Sequence, residues 1–431
     1  MSLGVTPTVL VRRDVVVRRL PLLALGAFVV LVLVTGVVAW VTYREVGRSL
    51  DYPYLDGPAW LDAWFRGDSG WYYAIASQGY SYTPGVQSPI AFFPAYPLAV
   101  HGLGLLLGGD FSTAAGVLTL LCAAGVVVLF AGWVRSRVGT RTAVVAVALL
   151  LVYPYSFFLY GTGYSDALFL LSTLAAFALL ERRLYLLAGL VGVLATAGRP
   201  IGIAVTIGLV VRAVEMLAER RAGAELPQTV GVGGREPDGP AAALPDRGEP
   251  LQLLLLVRAL RSVGWREVSL LASVGGLIAW TVYLGTRFGD PLAFATVQGA
   301  PGWNQGGGPF TWFKGPFVGS VLSLDWDVLV LLIPQALACL AAVLLVRTCW
   351  RTFGWGYTAF AVVSIAIPII GTKDFMGAGR YVLAAYPLLA AAAVVLTGPR
   401  RPRWLAPVVL GLLAAGLVVA TVAYVAGVEV S

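Results

Sequence analysis

Histidine, lysine and cysteine are scarce in this chain of 431 residues, and charged residues make up only 12% of it. His101 is the single histidine, which excludes a metal centre built from several histidines. Lysine occurs only at Lys314 and Lys373, so the net charge of +8 comes almost entirely from arginine. The cysteines show no paired spacing, so the sequence predicts neither a disulfide framework nor a cysteine metal site; they are Cys122, Cys339 and Cys349.

Apolar side chains are abundant instead. Hydrophobic residues make up 58% of the chain, and the mean hydropathy is +0.83. This composition excludes an ordinary soluble domain and predicts an all-α polytopic membrane protein embedded in the lipid bilayer. In such a chain an excess of arginine usually marks cytoplasmic loops, so we expect no nucleic-acid partner.

The apolar segments are numerous enough for about eleven transmembrane helices. The first follows an arginine-rich stretch and is longer than the core of a typical signal peptide, so we expect a membrane span with its N-terminal end in the cytoplasm. The predicted spans are residues 20–42, 112–134, 142–160, 164–180, 184–198, 201–217, 268–286, 328–346, 353–371, 381–397 and 404–427.

Arginine clusters fix the predicted topology. With the N-terminus inside, every cluster falls in the cytoplasm, which predicts a multi-pass protein of the plasma (inner) membrane. These clusters are Arg135, Arg137 and Arg141; Arg182 and Arg183; Arg220 and Arg221; Arg347 and Arg351; and Arg400, Arg401 and Arg403. The first outer loop is then 43–111. Within it, residues 89–108 are rich in proline, and counting them as a span would put Arg135–Arg141 outside, so we expect a short helix on the outer surface.

The chain divides into three predicted parts. Residues 1–217 form an N-terminal transmembrane module that includes the first outer loop. Residues 218–250, with many glycines, prolines and charges, predict a flexible cytoplasmic linker. Residues 251–431 contain the C-terminal spans, preceded at 251–267 by a leucine- and arginine-rich segment typical of an amphipathic helix on the inner leaflet.

Polar residues outside these clusters converge on the predicted outer side. Asp68, between Gly67 and Gly70, is a candidate general base, while helix capping is an equally good interpretation from spacing alone. Trp71 and Tyr72 are suited to stacking on a sugar, or to an interfacial aromatic belt.

Basic residues at outer helix ends are candidates for binding an anion. A guanidinium binds phosphate through two parallel hydrogen bonds, so Arg199 and Arg380, together with Lys373, are candidate phosphate ligands. Structural ion pairs with Asp374 or Asp166 are the alternative. Asp166 is itself either a substrate contact or a helix cap, and the glycine-rich loop at 302–309 is either a mobile lid or a connection.

Several motifs recur in an order that resembles the PIG-V family of mannosyltransferases. These are Phe65-Arg66-Gly67-Asp68-Ser69-Gly70-Trp71-Tyr72, Ala91-Phe92-Phe93-Pro94-Ala95-Tyr96-Pro97, Tyr153-Pro154-Tyr155-Ser156-Phe157-Phe158, Tyr164-Ser165-Asp166-Ala167-Leu168-Phe169, Gly198-Arg199-Pro200 and Gly379-Arg380-Tyr381. Two positions depart from the family pattern. Gly67 stands where an aromatic residue usually precedes the aspartate, and Asp166 stands in place of a glutamate.

The resemblance implies a GT-C glycosyltransferase whose active site faces outward. Its donor would be a polyprenyl-phosphate sugar, with mannose expected, and its acceptor a hydroxyl of a glycan, glycolipid or protein. Asp68 maps onto the family's aspartate, and the motifs add Arg66 and Tyr164 as substrate contacts. Conversion of a β-linked donor to an α-mannoside would be an inverting single displacement, which needs one base and demands neither cofactor nor metal. A lipid-linked sugar flippase and a non-catalytic partner of another transferase are the alternatives.

Overall fold

The computed structural model describes residues 7–46, 58–225, 253–305 and 307–430, and every regular element in these ranges is helical. The all-α prediction is therefore confirmed. The α-helices before the gap at 226–252 are α1 (Pro7–Val46), α2 (Ala59–Asp62), α3 (Ser69–Gln78), α4 (Ala95–Leu106), α5 (Phe111–Arg135), α6 (Thr140–Val152), α7 (Asp166–Glu181), α8 (Tyr185–Thr196) and α9 (Ile203–Glu225).

The second half contributes eleven more α-helices within the described ranges. They are α10 (Leu253–Leu260), α11 (Trp265–Val268), α12 (Gly275–Phe288), α13 (Ala293–Thr296), α14 (Pro309–Trp312), α15 (Gly315–Ser323), α16 (Trp326–Phe353), α17 (Trp355–Gly371), α18 (Ala378–Ala384), α19 (Tyr386–Thr397) and α20 (Leu405–Val425). Short 3₁₀ turns cover Pro89–Ala91, Pro154–Leu159, Pro200–Gly202, Ser269–Val274 and Val297–Gly299.

Six helical segments of the described chain are long and apolar enough to cross a membrane, and a bent pair gives a seventh candidate. The six are Arg19–Val46, Phe111–Arg135, Pro200–Arg221, Trp265–Phe288, Trp326–Phe353 and Leu405–Val425. The bent pair is α18 and α19, which meet at 80°. These segments indicate a multi-pass membrane protein, and the predicted count of about eleven spans is not confirmed.

Proline and short helix length explain the difference in span count. The span predicted at 142–160 is α6, which ends at Val152 because Pro154 cannot continue it, and a 3₁₀ turn follows. Helix α8 has 12 residues and rises about 18 Å, well short of a hydrocarbon core of ~30 Å. The predicted span 381–397 is divided at Ala385, just before Pro387 in the first turn of α19.

Two other predicted boundaries change. Helix α9 continues to Glu225, so the segment predicted as a linker from residue 218 starts as helix, and residues 226–250 lie outside the described ranges. The amphipathic segment predicted at 251–267 is two short helices, α10 and α11, separated by a turn before Gly264. The surface helix predicted at 89–108 is the shorter α4.

Carboxylates lie at the start of α5 and at both ends of α7. Asp110 caps α5 by accepting a hydrogen bond from the Thr113 amide at 2.8 Å. Helix α7 carries a carboxylate at each end, Asp166 and Glu181, about 22 Å apart along the axis. Glu181 accepts from Arg137, Arg212 and Tyr357, each at 2.9 Å. Arg137, predicted only as a topology signal, is thus also part of a largely buried ionic network.

Candidate active site

The opposite end of α7 faces the loop that carries Asp68. Gly67 adopts φ +56°, and a Cβ at this position would lie 2.7 Å from the hydroxyl of Tyr164. That hydroxyl accepts from the Asp68 amide at 2.8 Å and donates to the Arg66 carbonyl at 3.2 Å. The departure from an aromatic residue at position 67 therefore has a physical reason, because the left-handed turn and the close approach of Tyr164 both favour glycine.

The side chain of Asp68 pairs with an arginine distant in sequence. Asp68 occupies the N-cap position of α3, but its carboxylate makes no capping hydrogen bond. Instead Nη1 and Nη2 of Arg380 each donate to Oδ2 at 3.3 Å. The side chain of Asp68 is 24% exposed and that of Arg380 is 14% exposed. Burial raises the pKa of the Asp68 carboxyl above its usual value, while the positive charge of Arg380 acts in the opposite direction.

A second acid–arginine pair lies beside the first. Arg199 Nη1 donates to Oδ1 of Asp166, and both side chains are buried. The guanidinium carbons of Arg199 and Arg380 lie 4.7 Å and 5.8 Å from the ring centroid of Tyr381, so both cations contact the same aromatic ring. The structural ion pair left open for Arg199 is therefore formed, with Asp166 as its partner.

Two buried polar atoms of these pairs have no hydrogen-bond partner in the described part of the chain. They are Oδ2 of Asp166 and Nε of Arg380. Each unsatisfied buried polar atom calls for an explanation, and these two lie on neighbouring charged side chains where a bound molecule could supply the missing bond. One atom accepts and the other donates, which suits a substrate with both hydroxyl and phosphate groups.

The glycine before Arg380 explains why two distant motifs occur together. A Cβ at Gly379 would lie 2.3 Å from the ring of Tyr155. The hydroxyl of Tyr153 donates to the Gly379 carbonyl at 3.0 Å. Arg380 is thereby held with its guanidinium near the rings of Tyr164, at 5.4 Å, and Phe158, at 5.7 Å.

Aromatic side chains form one wall of the site. The half-buried ring of Trp71 stacks on Phe92 at 5.9 Å and tilts against Trp303 at 5.8 Å. Tyr72 is buried, and its hydroxyl is hydrogen-bonded to Ser165 at 2.8 Å. Trp71 is therefore part of an aromatic cluster with Phe92 and Trp303, whereas Tyr72 links α3 to the turn before Asp166.

Two predicted contacts lie away from the Asp68 carboxylate. Arg66 is buried, and its guanidinium donates to the carbonyls of Asp62, Phe65 and Val425 at 2.8–3.0 Å. Lys373 Nζ donates to the Trp303 carbonyl at 3.1 Å. Trp303 was not singled out from the sequence; a tryptophan inside the glycine-rich 302–309 loop was the available signal.

The described residues contain no group of three or more histidine, cysteine, aspartate or glutamate side chains able to hold a metal ion. The carboxylates of Asp68 and Asp166 are bonded to Arg380 and Arg199. A guanidinium stabilises developing negative charge without a metal.

No protein-family model and no curated protein matches the chain. Among solved structures, the apo oligosaccharyltransferase of Archaeoglobus fulgidus aligns with 92% of this chain and 56% of its own, at 10% identity and a TM-score of 0.44. The oligosaccharyltransferase AglB of the same organism, in complex with an inhibitory peptide and a dolichol-phosphate, aligns with 93% of this chain and 56% of its own, at 11% identity and a TM-score of 0.40. Little more than half of either archaeal chain is covered, and similarity of this size establishes neither a shared fold nor a shared activity.

Proposed function

We propose that this chain is a membrane glycosyltransferase of the GT-C type that transfers a sugar from a polyprenyl-phosphate donor to an acceptor hydroxyl. The observation that carries the proposal is the partly buried pair of Asp68 and Arg380, a base beside a phosphate ligand. The motif resemblance to PIG-V proteins supports mannose as the sugar. The arginine clusters support a location in the plasma membrane, and the resemblance supports a site on the extracytoplasmic face.

The reaction is an inverting single displacement. The acceptor oxygen attacks C1 of the sugar, and the bond from C1 to the phosphate oxygen breaks. Its electron pair leaves on the lipid phosphate, while the hydroxyl proton passes to Asp68. One displacement needs one base, in contrast to the two carboxylates of a retaining glycosidase. The lipid phosphate is a good leaving group, and arginine stabilises its charge.

Arg380 has a second role in this mechanism, because its guanidinium is hydrogen-bonded to the carboxylate of Asp68 before the donor binds. A donor phosphate that binds Arg380 takes over its N–H groups and releases the carboxylate of Asp68 to accept a proton. Arg199 is already bonded to Asp166, so it contributes positive charge nearby. The free Oδ2 of Asp166 is an acceptor for a sugar hydroxyl.

The polar side chains along α7 favour an enzyme over a flippase. A flippase needs a polar route through the bilayer. Between Asp166 and Glu181 the polar side chains are Ser172 and Thr173, and both donate to the carbonyl of Phe169, at 2.9 Å and 2.8 Å. The charged groups of α7 are thus confined to its two ends.

The proposal is tested with purified protein in nanodiscs and polyprenyl-phosphate mannose labelled in the sugar. Polyprenyl-phosphate glucose serves as a parallel donor, and a membrane extract supplies acceptors. We expect labelled product from the mannose donor only. Transfer from glucose alone would overturn the sugar assignment. Donor that stays intact in every incubation would support the flippase or the non-catalytic partner. This includes a prolonged incubation in which a transferase would slowly hydrolyse the donor with water.

Orientation is tested by cysteine labelling of intact cells with an impermeant maleimide. Ser81 and Arg261 are both exposed, and they lie on the predicted outer and inner sides. We expect Ser81→Cys to react and Arg261→Cys to react only after the cells are lysed. The native cysteines are buried and provide the unlabelled background. The reverse pattern would place the site in the cytoplasm.

Gly67→Ala is expected to lower transfer by roughly 10²-fold, since a catalytic group displaced by about 1 Å loses that much. Alanine must adopt a left-handed φ and also push the Tyr164 hydroxyl away from the Asp68 amide. The control is Gly85→Ala, which has φ +77° but no heavy atom within 4 Å of the added Cβ. Both variants should lose about 1–2 kcal/mol of stability from backbone strain. Equal activity in the two would show that the Tyr164 contact does not position Asp68.

The pH dependence of transfer should reveal the release of Asp68 from Arg380. Asp68 must be ionised to act as a base, so the rate falls as the pH drops through its pKa. Burial raises that pKa, so the acid limb of kcat/KM should lie above pH ~4, the ordinary value for aspartate. A phosphate on Arg380 offsets the charge that lowers the Asp68 pKa. The acid limb of kcat should therefore lie at higher pH than that of kcat/KM, and coincident limbs would contradict the exchange.

A further inference from the structure

The segment 309–324, called here the apolar hairpin, lies between the Trp303 loop and the membrane-spanning helix α16. It consists of α14 and α15, and α15 buries none of its side chains. Its large apolar side chains are open to the surroundings: Phe310 is 69% exposed, Trp312 53%, Phe313 78%, Val318 47%, Leu322 80% and Leu324 63%. A surface bathed in water rarely carries so many contiguous apolar side chains.

The single charge of the apolar hairpin points away from this surface. Lys314 forms the turn between α14 and α15 and is only 6% exposed. Its Nζ donates to the carbonyl of Thr372 and, at 3.1 Å, to the Thr372 hydroxyl, and it lies 5.4 Å from the ring centroid of Phe375. Residues 309–324 contain no arginine, aspartate or glutamate, so their exposed surface carries no charge.

Continuity with α16 identifies what covers the hairpin. Only Asp325 separates it from α16, and Trp326 at the start of that helix is 62% exposed. Exposed tryptophans at positions 312 and 326 match the aromatic belt at a membrane–water interface. The hairpin is too short to cross a bilayer, so it lies along the interface.

The anchor of Lys314 places the hairpin on the same side as Asp68. Thr372 and Phe375 lead directly into α18, which carries Arg380. By contrast α10, the amphipathic helix after the gap, includes Arg258 and is followed by Arg261 and Arg266, a basic pattern suited to the anionic inner leaflet. The absence of exposed basic side chains on the hairpin fits the opposite leaflet.

We propose that residues 309–324 are embedded in the bilayer interface on the Asp68 side, with their apolar side chains against lipid acyl chains, and that Lys314 ties this lipid-bound segment to the turn leading to Arg380. The assignment stands independently of the glycosyltransferase reaction, because it depends on exposure, charge and connection to α16.

Spin labelling in liposomes tests the proposal. Phe313→Cys and Leu322→Cys carry the nitroxide, and its collision rates with oxygen and with a water-soluble nickel chelate are compared. Leu344, on α16, is 71% exposed, and Leu344→Cys is the lipid reference. Ser81→Cys is the aqueous reference. We expect both hairpin labels to favour oxygen, as at Leu344.

Two results would overturn the proposal. Nickel accessibility like that of Ser81 would place the hairpin in water. Low accessibility to both reagents, with spin–spin broadening, would show a second copy of the chain covering it. If either cysteine variant is unstable, the quenching of Trp312 fluorescence by brominated lipids is measured instead. The contribution of Trp312 is the difference in quenching between the wild type and Trp312→Phe. No difference between shallow and deep bromine positions would again exclude lipid contact.

Discussion

Asp68→Asn is expected to lower sugar transfer by ~10²–10⁴-fold, the usual loss when a general base is removed. Asparagine keeps the size of the side chain but cannot accept the hydroxyl proton. Capping does not account for Asp68, because its carboxylate makes no capping hydrogen bond with α3. Asparagine is in any case as good a cap as aspartate, so a capping role predicts almost no change. The rate of transfer from labelled donor in nanodiscs measures the effect.

Asp110→Asn is the matched control, because Asp110 is a true N-cap whose carboxylate accepts from Ser112 and Thr113. It should transfer sugar within a few-fold of the wild type. Asp68→Asn also leaves Arg380 without its anionic partner, so thermal unfolding and donor binding must be measured alongside the rate. A folded Asp68→Asn protein that transfers sugar like Asp110→Asn would exclude Asp68 as the base.

The sequence identified the members of the site but not their pairing. Asp68 and Arg380 are 312 positions apart, and nothing in their local patterns indicates that they are in contact. The same holds for Arg199, for which the sequence favoured a phosphate and left an ion pair with Asp374 or Asp166 as the alternative. Such pairings depend on how the helices pack against each other. The local periodicity of a sequence predicts a helix but does not indicate which distant residues it will contact.

The position of Arg66 depends on one backbone angle that the sequence motif does not reveal. Its position two residues before Asp68 favours a shared site, but Gly67 turns the chain through φ +56°. The guanidinium of Arg66 then faces the end of α20, where it donates to the Val425 carbonyl at 3.0 Å. Tyr164 is likewise used to hold the backbone of the Asp68 loop, so both motif residues act on the conformation of the site.

Helix existence was predictable from hydropathy, whereas span count was not. The run 142–160 is apolar throughout, yet Pro154 ends the α-helical path and a 3₁₀ turn buries the following aromatic residues. Burial inside the bundle and burial in lipid select the same side chains. Hydropathy alone therefore cannot separate a short apolar helix such as α8 from a complete membrane span.

Arg380→Lys is expected to lower kcat/KM by roughly 10²-fold, comparable to the loss of one donor that stabilises a transition-state oxyanion. Lysine keeps the positive charge but lacks the planar fork and the Nε–H group, which is buried and unpartnered among the described residues. It also changes the cation–π contacts with the rings of Tyr164 and Tyr381. Initial rates at varied donor concentration measure the change.

The control for Arg380→Lys is Arg287→Lys, an exposed arginine at the end of α12, which should behave as the wild type. A purely structural ion pair makes a different prediction, because lysine can still neutralise Asp68, so the rate would stay near normal. The phosphate role also predicts that the losses in transfer rate from Arg380→Lys and Asp68→Asn are not additive in the double variant. Once Asp68 is replaced, its release from Arg380 no longer affects the rate. Additive losses in the double variant would mean that Arg380 binds phosphate without controlling the base, and wild-type kinetics in Arg380→Lys would remove it from the mechanism.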